Sequence, residues 1–257
     1  MRLTVLSENT SSRGLPSEHG LSLYLEVCSR RILFDTGASG LFAENAARCG
    51  VDLGAVELAV LSHGHFDHGG GLRRFLELNR TAPVYMSRWA FEPHFGFDGR
   101  DIGLDPALYG ERQIVLTEGT LPLSPGLTLL SGADRETPFG LDTDGLLAER
   151  DGVRLPEDFR HEQYLLAEEG GRRILITGCS HRGIRNILHW FRPDVLIGGF
   201  HFFRRPADDG LLPDARALDA LDTEYYTCHC TGTAQYEYLK NHVARLHYLS
   251  AGDTLEL

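Results

Sequence analysis

Short apolar runs alternate with polar and glycine-rich breaks along the chain. Three runs near the start have the β-branched and aromatic content of strands: LTVL, LSLYLEVC and RRILFDTG. Further strand-like runs follow at intervals: LAVLS, PVYMS, LTLLSG, DVLIGGF and EYYTCHC. The segment YLLAEEGGRRILITG is typical of a hairpin that turns at Gly170 and Gly171. The pattern therefore predicts many short strands, several of them buried.

Helical signals lie between these strands. Residues 42–49 (FAENAARC) have helical composition, and LRRFLELN places Leu72, Phe75 and Leu76 at helical spacing. Further helices are predicted near residues 183–191, 215–221 and 233–243. No internal repeat or low-complexity linker interrupts the order. We therefore expect one domain over residues 1–257, of the α/β class, in which two β-rich layers are covered by helices.

One long segment, from Ala90 to Leu116, carries few regular signals. It contains FEPHFGFDGRDIGLDP, which is rich in glycine, proline and aromatic residues. A long irregular stretch in a compact domain is often a functional lid. We expect this segment to shape a pocket.

Composition narrows the classes of function. The 257 residues are 42% hydrophobic and 24% charged, as in ordinary globular proteins. The net charge of -11 argues against nucleic-acid binding through phosphate contacts. No apolar run approaches the roughly 20 residues that span a bilayer, and no signal peptide is evident, so a cytoplasmic location and no membrane contact are expected. The 5 cysteines, an odd number, do not favour a disulfide framework.

The stretch LSHGHFDHGGG, residues 61–71, crowds candidate metal ligands at the end of a strand. His63 and His65 lie two positions apart and point the same way in an extended chain. Asp67 and His68 follow on the turn into the next helix. Neutral imidazole and carboxylate groups suit Zn²⁺, Fe²⁺ or Mn²⁺. The three glycines after His68 let the turn close tightly and let another group approach.

These four donors cannot all close on one tetrahedral ion, because the two halves of the loop face different ways. Two adjacent ions, with further ligands from later strand ends, are the economical arrangement. TGCSHRG offers Cys179 and His181, and TCHCTG offers His229. Cys179 is equally well explained as a small buried residue. The predicted metal ligands are His63, His65, Asp67, His68, Cys179, His181 and His229.

Other polar residues near these strand ends are candidates for binding a small-molecule substrate. His201, in GGFHFF, is either a ligand or a substrate contact. Arg182 is a candidate for phosphate recognition, as are Arg204 and Arg205. His19, in EHGLS, lies near the start of the second strand. The predicted substrate contacts are His201, Arg182 and His19.

The motif SHGHFDH matches the H-x-H-x-D-H signature of the metallo-β-lactamase fold superfamily, and ILFDTG, with Asp35, resembles its first motif. The wider pattern EHGLS, LFDTG, LSHGHFDHGGG, TGCSHRGI, GGFH and CHCTG resembles one branch of metal-dependent hydrolases. This branch is labelled 7,8-dihydropterin-6-yl-methyl-4-(β-D-ribofuranosyl)aminobenzene 5'-phosphate synthase-like. The resemblance implies a four-layer αβ/βα sandwich with a two-metal site on its rim, and it puts His19 near the mouth of that site. We expect both ions to be Zn²⁺, with Mn²⁺ or Fe²⁺ as the alternatives.

The chain departs from the commonest superfamily pattern in its second half. Cys179 falls where many members carry the Asp that bridges two metals. The histidine of the third motif is not clear, since His161 and Glu162 are nearby but lack the glycine context. The bridging ligand and the metal count therefore stay open.

The chemistry of such a site leaves three functions open. A water between two ions about 3.5–4 Å apart becomes a nucleophile near neutral pH, so a metal-dependent hydrolase of a phosphoester, lactone or amide is favoured. Asp67 would hold one ion and orient this nucleophile, and Asp35 would support a ligand histidine. The alternatives are a transferase that joins a dihydropterin pyrophosphate to an aminobenzene ribotide, and an iron-binding redox protein.

Overall fold

The protein is described from a computed structural model that covers residues 1–257. Its strands, in chain order, are β1 (Arg2–Ser7), β2 (Ser22–Val27), β3 (Arg30–Phe34), β4 (Leu58–Val60), β5 (Val84–Ser87), β6 (His94–Phe95), β7 (Ile114–Thr117), β8 (Leu121–Ser124), β9 (Leu127–Ser131), β10 (Leu147–Arg150), β11 (Val153–Pro156), β12 (Gln163–Glu169), β13 (Arg172–Ile176), β14 (Val195–Ile197), β15 (Glu224–Thr227), β16 (Leu246–Tyr248) and β17 (Thr254–Glu256).

The helices are fewer and short. The α-helices are α1 (Leu41–Arg48), α2 (Phe66–Gly69), α3 (Leu72–Leu78), α4 (Ile184–Phe191), α5 (Leu212–Asp219) and α6 (Thr233–Leu239). The 3-10 helices are Leu53–Ala55, Pro106–Leu108, Asp209–Leu211 and His229–Thr231. None of the helices is long and apolar enough to cross a membrane.

Two seven-stranded sheets form the centre of the molecule. Their strand orders are β17-β1-β2-β3-β4-β5-β7 and β16-β15-β14-β13-β12-β9-β8. Strands β3 and β4 are parallel in the first sheet, as are β13, β14 and β15 in the second. The carboxyl ends of parallel strands meet at one edge of a sheet, so the loops that leave them are brought together.

Alternation along the strands explains the layers. Leu23 and Leu25 of β2 belong to the core between the sheets, whereas Tyr24 packs toward the outer helices. In the second sheet, Leu165 faces the shared core and Leu166 faces the helices. Because both faces of each sheet are buried, these strands are nearly continuous apolar runs.

The outer layers are helical. Helices α1 and α3 bury Phe42 and Phe75 against the first sheet. Helices α4, α5 and α6 bury Ile187, Leu218 and Leu239 against the second. The order helix, sheet, sheet, helix confirms the predicted αβ/βα sandwich.

Two segments differ from the expectation. The segment from Ala90 to Leu116 is not wholly irregular, because β6 pairs with β10 in a three-stranded sheet, β11-β10-β6, and β7 extends the first sheet. The run EYYTCHC is not extended throughout: β15 ends at Thr227, and His229 has φ +50° at the start of a 3-10 helix. Short strands and turns of this kind carry too little periodicity to be recognised.

Candidate metal centre

The ligand-bearing loops all leave the carboxyl ends of parallel strands. Strand β4 delivers His63 to His68, β13 delivers Cys179 and His181, and β15 delivers His229. Each of these side chains is buried. The two halves of the chain thus supply donors to one place, which the sequence anticipated from glycine-flanked strand ends.

Close packing accounts for the glycines of the histidine loop. A Cβ on Gly64 would lie 2.2 Å from the carbonyl oxygen of Ala90, and one on Gly70 would lie 2.2 Å from that of Ala38. Gly70 has a φ of -63°, which any residue can adopt. Backbone approach, and not a left-handed conformation, is therefore what excludes a side chain at Gly70.

A first donor group consists of His63, Cys179 and His181, whose donor atoms lie within 4.8 Å of one another. Ser62 Oγ donates to Asp35 Oδ2 at 2.7 Å, so its free lone pair accepts the Nδ1–H of His63 at 2.8 Å. The lone pair of His63 then sits on Nε2, which is buried and has no partner. Both ring nitrogens of His181 are also buried without a partner. Unsatisfied buried nitrogens at one point are the mark of a cation site.

A second donor group consists of His68, Cys179 and His229. Asp35 Oδ2 accepts the Nδ1–H of His68 at 2.7 Å, and Asn9 Oδ1 accepts the Nδ1–H of His229 at 2.8 Å. Both Nε2 atoms then carry lone pairs, and they lie 3.2 Å apart. Two lone pairs at this distance repel unless a positive charge lies beside them. Each histidine is held as metal-ligating histidines usually are, through its other nitrogen.

Electrostatics favour positive charge at this second group. Burial lowers the pKa of His68, but the carboxylates of Asp35 and Asp67 outweigh it and raise that pKa overall. Burial would raise the pKa of Asp67, yet His68 and the hydrogen bond from His19 hold it well below its usual value. Asp67 is therefore ionised at neutral pH, with Oδ2 3.3 Å from His229 Nε2.

The remaining histidines are neutral donors. Burial, and then the neighbouring imidazoles, lower the pKa values of His63, His65 and His181 well below the usual range. At neutral pH these rings keep a lone pair available. The residues thus fit one or two divalent ions, with nitrogen, sulfur and carboxylate donors that suit zinc.

Cys179 is common to both donor groups. Its Sγ lies 3.1 Å from His68 Nε2. Burial raises the pKa of this thiol well above its usual value, so a divalent ion is needed to displace its proton. Of the two interpretations of Cys179, its position beside four candidate ligands favours the ligand.

The fold and the donor geometry agree with comparisons to known proteins. The family model of the metallo-beta-lactamase superfamily matches residues 17–228. The chain belongs to this superfamily. A curated relative, the 7,8-dihydropterin-6-methyl-4-(beta-D-ribofuranosyl)-aminobenzene-5'-phosphate synthase of Methanocaldococcus jannaschii, is 28% identical in an alignment of 263 positions that covers 90% of this chain and 88% of the relative. The predicted superfamily is confirmed.

Solved structures give the same assignment. The crystal structure of Tm1679, named a metal-dependent hydrolase of the β-lactamase superfamily, has a TM-score of 0.85 and 31% identity, and covers 100% of this chain and 99% of its own. Zn²⁺-bound PqqB from Methylobacterium extorquens has a TM-score of 0.59 and 15% identity, with full coverage of both chains. PqqB shares the fold of the superfamily.

Buried carboxylates hold the ligand loops of this superfamily member in place. Glu162 accepts from the backbone N–H of His181 at 2.6 Å, and Glu8 accepts from that of His229 at 2.6 Å. Glu8 and Asn9 carry no sequence signal, because a polar pair after a strand is common at turns. Glu162 alone among these residues could be associated with the site from the sequence, because it lies next to the expected position of the third-motif histidine.

Two of the predicted substrate contacts lie at the cavity. His19 is exposed, accepts from Asn9 Nδ2 at its Nδ1, and so presents Nε2–H to Asp67 Oδ2 at 3.2 Å. His201 has its ring centroid 4.2 Å from that of His181, and burial lowers its pKa to about 4. Both line the cavity above the donors.

Arg182 does not line the cavity, which corrects the expectation of a phosphate contact there. Its side chain is buried, and its guanidinium donates to the carbonyl oxygens of Asp158 at 2.9 Å and Arg135 at 2.7 Å. The chain reverses after His181, so adjacent side chains in sequence point apart. Arg182 ties two loops together.

The cavity above the donors has a volume of about 370 Å³ and an aromatic mouth. Phe66, Phe97 and Phe203 line it with exposures of 43%, 64% and 42%. The guanidinium of Arg204 lies 3.8 Å from the ring centroid of Phe97. The cavity therefore offers apolar surface beside the candidate ligands, together with a guanidinium that pairs with Asp144, Arg204 Nε lying 3.4 Å from Asp144 Oδ2.

A second cavity of about 510 Å³ adjoins the first and shares His181, His201 and Arg204 with it. Arg185 lines this second cavity, with its guanidinium 4.4 Å from the ring of Phe139. The buried Nε of Arg185 has no hydrogen-bond partner. Arg185 and Arg204 thus both line the second cavity, together with Asp142 and Asp144.

Proposed function

We propose that this protein is a metal-dependent hydrolase of a small anionic substrate, a phosphoester in the first place and a lactone or amide otherwise. The observation that carries the proposal is the convergence of neutral nitrogen lone pairs, the Cys179 thiol and the Asp67 carboxylate at the floor of a cavity. The aromatic mouth and the arginines beside it support a substrate with both an apolar part and a negative charge.

Two donor sets divide the residues. His63, Cys179 and His181 would hold one divalent ion, and His68, Cys179 and His229 would hold the other. His65 would join the first set, since its ring centroid lies 4.6 Å from that of His63 and 4.9 Å from that of His181. Asp67 would join the second, since its Oδ2 lies 3.3 Å from His229 Nε2. Bound divalent ions of this kind polarise the scissile bond and lower the pKa of a water to near neutrality. Zinc suits this nitrogen and sulfur donor set, and manganese or iron are the alternatives.

The protein's own groups orient the reaction. The Nε2–H of His19 fixes one oxygen of Asp67, so the other oxygen keeps a defined direction. Asp67 is ionised and can hold the proton of an attacking water. Arg204 and Arg185 would neutralise the anionic group of the substrate, while Phe66 packs against its apolar part.

A second function is favoured by one comparison. The relative from Methanocaldococcus jannaschii that is 28% identical is named a synthase. A transferase that joins a dihydropterin pyrophosphate to an aminobenzene ribotide would use the same residues to hold a leaving pyrophosphate. The arginines that line the two cavities suit either reaction, so the two functions are separated by assay.

The deciding experiment begins with elemental analysis of protein purified without added metal or chelator. About two zinc or manganese ions per chain are expected. Chelator-sensitive hydrolysis of a generic phosphodiester or lactone would support the hydrolase, and coupling without hydrolysis would support the transferase. About one iron with visible absorbance would overturn both in favour of a redox protein.

Variants then test the ligands. His63→Ala and His65→Ala should each remove one metal equivalent and most of the activity while leaving the fold intact. His242→Ala, which changes an exposed histidine, is the matched control. Full metal content in both ligand variants would refute the assignment.

A further inference from the structure

Beside His65 lies a sealed polar cluster that the proposed reaction does not use. His65, His94, His161 and Glu157 each bring one donor atom within 4.8 Å of the others, and all four residues are buried. The ring centroid of His65 is 5.4 Å from that of His94 and 5.2 Å from that of His161. His94 lies on β6 of the three-stranded sheet, and Glu157 follows β11 of the same sheet.

Hydrogen bonds fix the proton of His161. The backbone N–H of Gly64 donates to His161 Nδ1 at 2.8 Å. Burial, and then the neighbouring histidines, lower the pKa of His161 well below its usual value, so the ring is neutral. Its one proton is therefore on Nε2, 3.6 Å from Glu157 Oε1. His161 faces the carboxylate as a donor, which argues against a cation bound by all four groups.

The hydrogen bond to Glu157 places a proton of His94. Its Nδ1–H donates to Glu157 Oε2 at 2.8 Å, which leaves a lone pair on Nε2. That nitrogen is sealed from solvent and has no partner, and the same is true of His65 Nε2. A buried polar group without a partner costs about 1–3 kcal/mol. The structure makes no hydrogen bond between these two nitrogens, and one from His65 Nε2–H to His94 Nε2 would satisfy both atoms.

We propose that His94 and Glu157 are positioning residues that keep the proton of His65 on Nε2. The ring of His65 lines the cavity, and Nδ1 is the nitrogen left to face it with a lone pair. With that bond closed, the Glu157 carboxylate, His94 and His65 would form one chain of hydrogen bonds that ends at a proposed metal ligand. The inference rests on the metal centre of the proposed function. It makes the three-stranded sheet β11-β10-β6 a support of that centre.

The test measures the tautomer of His65 directly. Two-bond ¹H–¹⁵N spectra of the zinc-loaded full chain should show His65 protonated at Nε2. His94→Phe keeps a planar ring but removes the acceptor, so the Nε2–H signal should lose its hydrogen-bonded shift. Chelator competition should show weaker zinc binding in this variant, by about 10- to 100-fold. His94→Gln, whose amide oxygen can accept the proton, should recover most of the affinity.

Controls separate this role from general damage. His242→Phe should change neither the spectrum nor the affinity, and Glu157→Gln should weaken zinc binding less than His94→Phe does. An unchanged His65 signal and affinity in His94→Phe would overturn the inference. So would loss of one whole extra metal equivalent on changing Glu157, because that result indicates a cation within the cluster. The spectra need no turnover, so failure of the hydrolase assay alone leaves the inference standing.

Discussion

Asp35 sets the direction of two imidazoles at once. Its carboxylate accepts from the backbone N–H of Ser62 at 2.6 Å, from Ser62 Oγ and from His68 Nδ1, both at 2.7 Å. Ser62 in turn accepts from His63. Asp35 itself has φ +60°, a strained conformation for a residue with a side chain. The fold maintains this strain at the point where it orients candidate ligands.

Replacing this carboxylate should loosen metal binding. Asp35→Asn keeps the size of the side chain but removes the charge that favours the bound form of His68. Affinity for zinc should fall by about 10- to 100-fold in chelator competition. Asp52→Asn is the control, since Asp52 only caps the turn at Gly54. Equal affinities in the two variants would contradict the role given to Asp35.

The shared thiol should matter more than the other cysteines. Cys179→Ser replaces a soft ligand common to both donor groups, so binding of both ions should weaken by about tenfold or more. Cys49→Ser, at a partly buried site on the end of α1, should leave metal content unchanged. Elemental analysis of the two variants after gel filtration makes the comparison. Full metal content in Cys179→Ser would return that residue to a packing role.

At the residue scale the sequence revealed the donors and one of their supports, Asp35, but not the other supports. His63 to His68 form a local motif, so their spacing alone indicated metal chemistry. The pairing of Glu8 with His229, or of His94 with Glu157, joins positions far apart in the chain. Such pairs exist only once the sheets are assembled, and a single sequence does not show them. Arg182 was misjudged because proximity in sequence says nothing about side-chain direction after a turn.

The elements around the histidine loop pack with almost no spare volume. Helix α2 lies between the cavity and the turn that follows β3, where Gly70 meets the backbone of Ala38. This close approach positions Asp67 and His68 at the start of the helix.

Adding one methyl group here should therefore be costly. Gly70→Ala places Cβ 2.2 Å from a backbone oxygen, so the free energy of unfolding should drop by about 1–3 kcal/mol or more. Gly40→Ala is the control, because its Cβ meets only the flexible side chain of Arg74 at 3.7 Å. Urea denaturation measures both. A Gly70→Ala protein as stable as the control would show that the loop can relax.

The inner strands of the main sheets were predictable because they are buried on both faces and read as continuous apolar runs, whereas β7 at a sheet edge is partly exposed and was missed. β6 was not, since two residues cannot establish a period. The turn at His229 was also missed, because its positive φ follows from the carboxylate of Glu8 that holds its N–H.

At the scale of the whole molecule, buried tyrosine phenols should lower the free energy of unfolding at alkaline pH. Burial raises the pKa of Tyr225 to about 12, and burial with Glu162 raises that of Tyr164 well above its usual value. The folded protein keeps these groups neutral, whereas the unfolded chain ionises them near pH 10. Below pH 10 they cause no pH dependence; stability falls as pH rises from about 10 toward about 12.

Denaturation by urea between pH 8 and pH 11.5 tests this expectation. Tyr225→Phe should be less stable at pH 8, because the hydrogen bond to Leu218 is lost, but should fall less steeply above pH 10. Tyr109→Phe, at an exposed tyrosine, should leave the slope unchanged. Parallel curves for wild type and Tyr225→Phe would exclude a contribution from this phenol.

Cys179 belongs to both donor groups yet carries a single proton, which makes the two loading steps chemically unequal. Because burial keeps the thiol protonated at neutral pH, the first step must release that proton, whereas the second finds the thiolate already formed. The first affinity should then rise about tenfold for each unit of pH because of the thiol, whereas the second depends on pH through His68, whose raised pKa leaves a proton to be displaced there. In the proposed centre, loading would thus begin by releasing the proton of a thiol and end by releasing that of an imidazole.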